Sequence, residues 1–317
     1  MCDISFGDIE TAKDERRDSP ERRAGRDEIR LILALVIAVL VVLVLGFAWA
    51  FGSLATRPEA MPPPQIVAPA SGVSILASDA VRIDGTYAPG RRSDSPGVLL
   101  LHGFGGSRGQ MVEQARWLNR LGFAVLAIDF RGHGASEAAP RGLGITEWRD
   151  AHAAFDWLKG RQRGARIGVV GISQGGAAAL IGPGGPLPAD AMVLNAVYPD
   201  LRRAIRNRIS WLTNRPLAWI AEPLLSYQSR IRFGVWPGQV APIDSIRTYR
   251  GAAMIIGGGA DPWTPEPETR ALCEAAPRCA ELWIVPGLDH LQMSAIDGEA
   301  YRARVGAFLS RALEARR

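Results

Sequence analysis

The chain has 317 residues, of which 47% are hydrophobic, so it is long enough to bury the core of a sizeable domain. Its net charge of +5 comes with 35 arginines among 37 basic residues and no recognised nucleic-acid-binding motif, so we expect no nucleic-acid partner. It has three cysteines, and neither a C-x-x-C pair nor a cluster of histidine and cysteine indicates a metal site.

The amino-terminal part predicts a membrane anchor. Residues 1–30 hold sixteen charged side chains and predict a disordered tail, whereas residues 31–51 carry no charge. As a helix, these 21 residues would span roughly 31 Å, which matches the hydrocarbon core of a bilayer. A cleaved signal peptide is the alternative, since Ala48-Trp49-Ala50 has the small-x-small form of a cleavage site. The apolar run is longer than in most signal peptides, which favours an uncleaved transmembrane signal anchor.

The distribution of positive charge predicts the orientation of this anchor. Six arginines precede the apolar segment within fifteen residues, and Arg57 alone follows it within the same distance. The positive-inside rule therefore places the amino terminus in the cytoplasm and the following domain on the outer or periplasmic side. The six arginines are Arg16, Arg17, Arg22, Arg23, Arg26 and Arg30.

The remainder of the sequence predicts a linker followed by one α/β domain. Residues 52–66 are rich in proline and predict a stiff linker. From residue 67 to 317, apolar runs alternate with helical patterns, which predicts a mostly parallel, twisted sheet with helices on both faces. The pattern Ser74–Leu76 and the pattern Val81–Tyr87 predict two early strands, which could be antiparallel.

Residues 200–250 interrupt the alternation, and we expect them to form a lid inserted after the strand that ends near Val197. The segment holds nine arginines against three acidic residues, so part of it could lie against anionic lipid headgroups. Its five aromatic side chains would either line a substrate pocket or pack the lid against the domain. These are Trp211, Trp219, Tyr227, Phe233 and Trp236.

A G-x-S-x-G motif, Gly171 to Gly175, follows the apolar run 167–170 and precedes a helical pattern. A serine at a sharp turn between a strand and a helix is held with its hydroxyl at the carboxyl edge of the sheet. The flanking glycines let neighbouring backbone pass close to the turn. The motif predicts Ser173 as a nucleophile.

Serine needs an adjacent general base, and the chain offers four histidines. His290 follows the last predicted strand and would lie at the carboxyl edge of the sheet with Ser173, so it is our choice. His133, in a turn after another strand, is the main alternative. His102 closes a strand ahead of a glycine-rich turn, and His152 lies on a predicted helix, where packing or solvation explains it.

The base in turn needs an acid to orient it. Asp261 directly follows a predicted strand between Ser173 and His290, and Asp200 is the alternative at the end of the preceding strand. Asp289 is adjacent to the histidine and would point elsewhere, and Asp129 is expected to bond its own turn.

Attack on a carbonyl also requires donors for the oxyanion. The backbone N–H of Gln174 and that of Phe104, in the glycine-rich loop 102–106, are the predicted donors.

The sequences HGFGG, DFRGHG, GISQGG, DPWTP and GLDH, in that order between residues 102 and 290, resemble the α/β-hydrolase superfamily. Within it, the chain is similar to the serine esterase and serine aminopeptidase-like branch. The resemblance implies the triad order Ser173, Asp261, His290, a lid after the sixth strand, and ester hydrolysis without a cofactor. A serine at position 173 argues against the dehalogenase-type members, which use aspartate.

We therefore predict a membrane-anchored serine hydrolase that cleaves a small-molecule or lipid-like carboxylic ester through an acyl-enzyme. The alternatives are a serine aminopeptidase-like peptidase and a non-catalytic binding protein on the same scaffold. Cys273 and Cys279 could form a disulfide outside the cytoplasm or remain two separate thiols.

Overall fold

The computed structural model describes residues 20–66 and 68–314, and the chain divides into two units, Met1–Phe51 and Gly52–Arg317. The strands are β1 (Glu59–Ala60), β2 (Ser71–Leu76), β3 (Arg82–Ala88), β4 (Gly97–Leu101), β5 (Ala124–Ile128), β6 (His133–Gly134), β7 (Ile167–Ile172), β8 (Ala191–Asn195), β9 (Ala252–Gly258) and β10 (Cys279–Val285). The α-helices are α1 (Pro20–Ala55), α2 (Val112–Leu121), α3 (Trp148–Arg161), α4 (Gln174–Leu180), α5 (Leu201–Leu212), α6 (Arg215–Ser226), α7 (Gln228–Phe233), α8 (Pro242–Ser245), α9 (Glu266–Ala275), α10 (His290–Ser294) and α11 (Glu299–Leu313).

Helix α1 contains a stretch, Arg23–Ala55, that is long and apolar enough to cross a membrane by length and composition. The helix begins at Pro20, so residues 20–30 are helical, which corrects their assignment to a disordered tail. Arginine and glutamate have good helix propensity, and a long apolar helix extends readily into them once it is nucleated. Residues 1–19 of the predicted tail lie outside the described part of the chain.

The predicted linker is also more structured than its proline content indicates. Helix α1 continues to Ala55, and β1 pairs in parallel with β6, with Glu59 N–H donating to Gly132 O at 2.8 Å. The guanidinium of Arg141 also binds the Glu59 carboxylate at 2.8 Å. These contacts to the folded domain fix residues that an isolated proline-rich segment would leave extended.

Eight strands form the main sheet, in the order β10-β9-β8-β7-β4-β5-β3-β2. All neighbours from β10 to β5 are parallel, and β3 is antiparallel to both β5 and β2, so the two early strands pair as their sequence suggested. The central strands β4, β5, β7 and β8 are buried along their whole length, which explains their continuous apolar sequences.

Helices cover both faces of this sheet. Alternate side chains of the central strands point to opposite faces, so Leu99 and Val169 belong to one apolar cluster and Val98 and Val170 to the other. The first cluster includes residues of α3, α4 and α9, and the second includes residues of α2 and α11. This is the α/β arrangement that the sequence predicts.

Residues 200–250, which the sequence predicts to be a lid, form helices joined by turns and contain no strand. We call this segment the lid. Helices α5 and α6 are joined by a short turn and pack against each other. Asn214 in this turn caps the amino terminus of α6, and α7 and α8 follow. A third apolar cluster joins Leu201 and Val240 of this segment to Ile145 and Ile181 of the domain. This shared cluster anchors the lid to the domain.

Cys273 and Cys279 form a disulfide with their Cα atoms 5.4 Å apart. The bond joins the last turn of α9 to the start of β10. Of the two alternatives left open by the sequence, the structure has the paired cysteines.

Candidate functional site

Ser173 occupies a strained turn between β7 and α4. Strand β7 runs to Ile172, two residues beyond the apolar run in the sequence, and Ser173 then adopts φ 48° and ψ −111°. A positive φ is unfavourable for a residue with a side chain, so neighbouring structure must hold it. Ser173 N–H donates to Asn195 O on β8 at 2.8 Å, and its carbonyl accepts from Ala177 N–H at 3.0 Å.

The glycines of the motif are required by close backbone approach. A Cβ on Gly175 would lie 2.3 Å from Leu101 O, at the end of β4, and a Cβ on Gly171 would lie 2.6 Å from Gly176 Cα. Both contacts are to backbone atoms, which cannot rotate away. Gly175 therefore lets the turn approach the end of β4, and Gly171 lets the start of α4 approach β7.

We predict that Gly175→Ala lowers the free energy of unfolding by about 1–3 kcal/mol, because the added methyl must displace the backbone at Leu101. Denaturant unfolding of the full chain in detergent measures this. Gly160→Ala is the matched control, since a Cβ there meets nothing within 4 Å on helix α3. An equal loss of stability in both variants would contradict the steric explanation.

The structure brings the three predicted side chains Ser173, Asp261 and His290 together at the carboxyl edge of the sheet. His290 Nε2 lies 3.1 Å from Ser173 Oγ, and His290 Nδ1 lies 2.7 Å from Asp261 Oδ2. All three residues are at most 4% exposed. The serine, the imidazole and the carboxylate thus form one continuous, buried line of hydrogen bonds.

Two backbone amides fix the orientation of the Asp261 carboxylate. Its second oxygen, Oδ1, accepts from Trp263 N–H at 2.8 Å and from Thr264 N–H at 2.9 Å. With the carboxylate held in this way, Oδ2 is positioned to accept from Nδ1–H of His290. Nε2 then carries the lone pair that faces the Ser173 hydroxyl, which is the tautomer a general base requires.

The alternative histidines have other partners. His133 Nδ1 pairs with Arg131 O at 2.9 Å, and its Nε2 accepts from Gly105 N–H at 3.3 Å. His102 Nδ1 pairs with Gly103 O at 2.7 Å, and its Nε2 accepts from Phe130 N–H at 3.0 Å. Both nitrogens of each ring are therefore occupied. His152 contacts Trp148 on α3 edge-on, with ring centroids 5.6 Å apart.

The alternative acids also have other roles. Asp200 caps α5 by accepting from Arg203 N–H at 2.8 Å, and Asp289 caps α10 by accepting from Gln292 N–H at 2.9 Å. Asp129 accepts from Ala135 N–H at 2.9 Å and binds the guanidinium of Arg108 at 2.5 Å, with both side chains buried. Asp129 therefore ties its own turn to the loop after β4.

The loop 102–106 carries the Phe104 amide. His102 and His133 hold its backbone through Gly103 O and Gly105 N–H, a supporting role for both histidines that the sequence did not indicate. Within residues 68–314, neither Phe104 N–H nor Gln174 N–H donates to a protein acceptor. The two amides predicted as oxyanion donors therefore remain available to a ligand.

Burial keeps these two histidines neutral. Desolvation lowers the pKa of His102 to about 4 and the pKa of His133 to about 3, from an ordinary value near 6.5. Between the ordinary value and the lowered one, only the unfolded chain binds the proton, so folding stability falls as the pH falls through this window.

For His102 the window runs from pH 6.5 down to about 4. Within it, we expect this side chain to lower the free energy of unfolding by about 1.4 kcal/mol for each pH unit of acidification. His102→Gln should remove this component, so the unfolding free energy of the variant should depend less steeply on pH. Denaturant titrations of both proteins between pH 7 and pH 4.5 measure the two slopes. Equal slopes would show that burial of His102 does not cause the pH dependence of the unfolding free energy.

Two residues beside the site were not recognised from the sequence. The Trp263 ring lies against His290, with centroids 4.9 Å apart, and the Arg208 guanidinium of lid helix α5 lies 4.9 Å from the Trp263 centroid. Trp211 meets the same ring edge-on at 5.6 Å. The aromatic residue of DPWTP thus links the lid to the histidine. Only the excess of aromatic residues in the lid hinted at such a contact.

The other lid aromatics divide between packing and exposure. Phe233 packs in the third apolar cluster, whereas Trp219, Tyr227 and Trp236 remain exposed. Among the described residues, no group of three or more histidine, cysteine, aspartate or glutamate side chains is arranged to hold a metal ion.

A parallel α/β sheet with a serine on a strained turn after a central strand defines a class of hydrolases. The model of the alpha/beta hydrolase family matches residues 98–304. The chain belongs to the alpha/beta hydrolase family.

Comparisons with individual proteins agree with this assignment. An uncharacterized protein from Mycobacterium tuberculosis is 30% identical over 287 residues, covering 88% of this chain and 95% of that protein. The lysophosphatidylserine lipase ABHD12 from Rattus norvegicus is 32% identical over 127 residues, which cover 38% of this chain and 31% of the lipase. The Pyrococcus furiosus esterase Pf2001 superposes with a TM-score of 0.62 at 24% identity, covering 81% of this chain and all of the esterase, and it shows the shared fold.

Proposed function

We propose that the chain is a membrane-anchored serine hydrolase that cleaves carboxylic esters. The observation that carries the proposal is the continuous line from Asp261 Oδ2 through His290 to Ser173 Oγ, with separations of 2.7 and 3.1 Å. Each link is within hydrogen-bond distance, and the order along the chain is that of α/β hydrolases.

In the proposed reaction, Ser173 Oγ attacks the ester carbonyl carbon while His290 Nε2 takes the hydroxyl proton. The resulting imidazolium is stabilised by the buried Asp261 carboxylate. Collapse of the tetrahedral intermediate breaks the bond to the alcohol, which leaves with the proton from Nε2. Water then attacks the acyl-enzyme with His290 again as base, releasing the acid and restoring the serine.

The negative charge on the carbonyl oxygen needs fixed donors. The amides of Phe104 and Gln174 are the proposed donors, and their freedom from protein acceptors supports this role. Because the loop 102–106 is held by two neutral histidines, its amide would not need to reorganise as the charge develops. Preorganised donors of this kind are a large part of the rate advantage in acyl transfer.

A lipid-like ester is the substrate class that we propose. The partial similarity to lysophosphatidylserine lipases supports it, and so does an apolar segment, residues 31–51, that would tether the enzyme to a bilayer. The reaction as written needs no cofactor.

For the orientation, we propose a cytoplasmic amino terminus and a catalytic domain on the outer or periplasmic side. The arginine excess before the apolar segment supports this orientation. The disulfide between Cys273 and Cys279 supports it independently, since such bonds persist mainly outside the cytoplasm.

A fluorophosphonate probe should label the full chain in detergent, and Ser173→Ala should abolish the labelling. With p-nitrophenyl butyrate as substrate, Ser173→Ala should reduce kcat by about 10⁶-fold, because it removes the nucleophile. Asp261→Asn should reduce kcat by about 10⁴-fold, because the histidine is then held in the wrong tautomer.

Asp289→Asn is the matched control for Asp261→Asn. Asparagine also caps helices, so kcat/KM should stay unchanged although the residue adjoins His290. A folded wild-type chain that the probe does not label would support a binding protein instead. Turnover of aminoacyl-anilides in preference to the ester would support a peptidase.

The orientation can be tested with single-cysteine chains in bacterial spheroplasts. Ser93 is exposed on the domain, so Ser93→Cys with the native cysteines replaced by serine should react with a membrane-impermeant maleimide before lysis. A chain that retains only Cys2 should react after lysis alone. The reverse pattern would place the domain in the cytoplasm.

A further inference from the structure

An apolar stripe runs along helices α6 and α7 of the lid. Tyr227 joins the two helices in a helical conformation, so residues 215–233 form a nearly continuous helix. Leu217, Ile220, Tyr227 and Ile231 follow one another at helical spacing, with Leu224 half-buried between them. At about 100° per residue they lie within roughly 80° of the circumference. We call these five residues the lid stripe.

The lid stripe faces away from the core of the lid. Ile220 is 71% exposed and Ile231 is 74% exposed, whereas Ala218, Glu222 and Ser226 on the opposite side of α6 are buried. A helix with one face packed and the other both apolar and exposed lacks a partner for its second face.

The charges around the lid stripe are all positive. Arg230 and Arg232 flank it, one on each side of the helix, and Glu222 is the only acidic residue between positions 211 and 236. Glu222 is fully buried and binds Arg202 at 2.9 Å and Arg206 at 3.2 Å. These two arginines therefore link α5 to α6 through a buried carboxylate, while the Arg202 side chain remains 39% exposed.

The chain enters the folded unit beside the lid stripe. Arg232 Nη2 donates to Ser53 Oγ at 2.8 Å, and a Cβ on Gly52 would lie 2.1 Å from Gln228 Oε1. Residues 52 and 53 directly follow the apolar segment 31–51. If that segment spans a bilayer, as the proposed function holds, then α7 contacts residues that directly follow the membrane-spanning segment in the sequence.

We propose that the lid stripe docks on the surface of an anionic phospholipid bilayer, with its apolar side chains below the headgroups. The flanking arginines would meet lipid phosphates, as in interfacial amphipathic helices with a basic border. A second copy of the chain would instead bring Arg230 and Arg232 against like charges. This inference rests on the proposed membrane anchor and adds the surface by which the lid meets the lipid.

The lid stripe is connected to the candidate site through the helices of the lid. Lid helix α5 contacts Trp263 through Arg208, and Trp263 in turn contacts His290. Helix α5 packs directly on α6, which carries three of the five residues of the lid stripe. Docking of the lid stripe would therefore hold at the bilayer the helix pair that contacts Trp263 beside His290.

The test places an environment-sensitive fluorophore on the full chain in vesicles with about one-third anionic lipid, where basic side chains add binding free energy. Ile220→Cys carries the probe in a Cys2→Ser background, because the disulfide protects Cys273 and Cys279. Leu76→Cys is the matched control, since Leu76 is an equally exposed apolar residue on β2. Doxyl-labelled lipids should quench the probe at 220 and leave the probe at 76 unquenched.

A functional comparison separates this inference from the catalytic proposal. Ile220→Ser with Ile231→Ser should slow hydrolysis of a vesicle-embedded ester about tenfold or more and leave turnover of soluble p-nitrophenyl butyrate unchanged. Thermal unfolding of this variant checks that the lid is intact. The quenching experiment needs no catalysis, so it stands even if the esterase assays fail.

Equal quenching at positions 220 and 76, or quenching that is the same in neutral and anionic vesicles, would overturn the proposal. Disulfide cross-linking of Ile220→Cys between two copies would also overturn it, because the lid stripe would then be a dimer interface.

Discussion

The strained conformation of Ser173 is the constraint on which the rest of the site depends. A positive φ at this residue turns its side chain out of the sheet, where Nε2 of His290 can reach it. The strain is maintained by the hydrogen bond to Asn195 O on β8 and by glycines that let the turn rest against β4. Since β4, β7 and β8 are fully buried central strands, the core of the sheet supplies the rigidity that the turn needs.

A second layer of polar contacts supports the site from below. Asp129 receives Arg108 and the amide of Ala135, while the neutral rings of His102 and His133 brace the loop that carries Phe104. Two glycine-rich turns that follow adjacent strands are thereby locked into one unit. Neutral imidazoles serve this purpose because each can donate with one nitrogen and accept with the other. The lid also contacts the site, because Trp263 lies between His290 and Arg208 of helix α5.

Much of the site could be predicted from local patterns, because α/β sheets gather the ends of parallel strands at one edge. Ser173, Asp261 and His290 each follow an apolar run, which made them candidates for the same edge of the sheet. Asp200 and His133 also follow strands, so this pattern left them open as alternatives. The same reasoning could not show that Asp200 caps α5 or that both nitrogens of His133 are occupied, since these are contacts of single atoms. The helical start of α1 at Pro20 was missed for a different reason, because charge content suggested disorder while helix propensity favoured continuation.

By itself, the sequence determined the α/β class, the long apolar segment and the three residues that the structure brings together at one edge of the sheet. These follow from periodicity, from a charge-free run of 21 residues and from motifs whose chemistry depends on residue type. The tertiary structure alone decided which arginines of the lid pair with Glu222, that the cysteines are paired, and which lid face is left exposed. The physical reason is that both outcomes depend on residues far away in the sequence. Whether an arginine pairs with a carboxylate, or an apolar side chain is covered by another helix, is decided only when the chain folds.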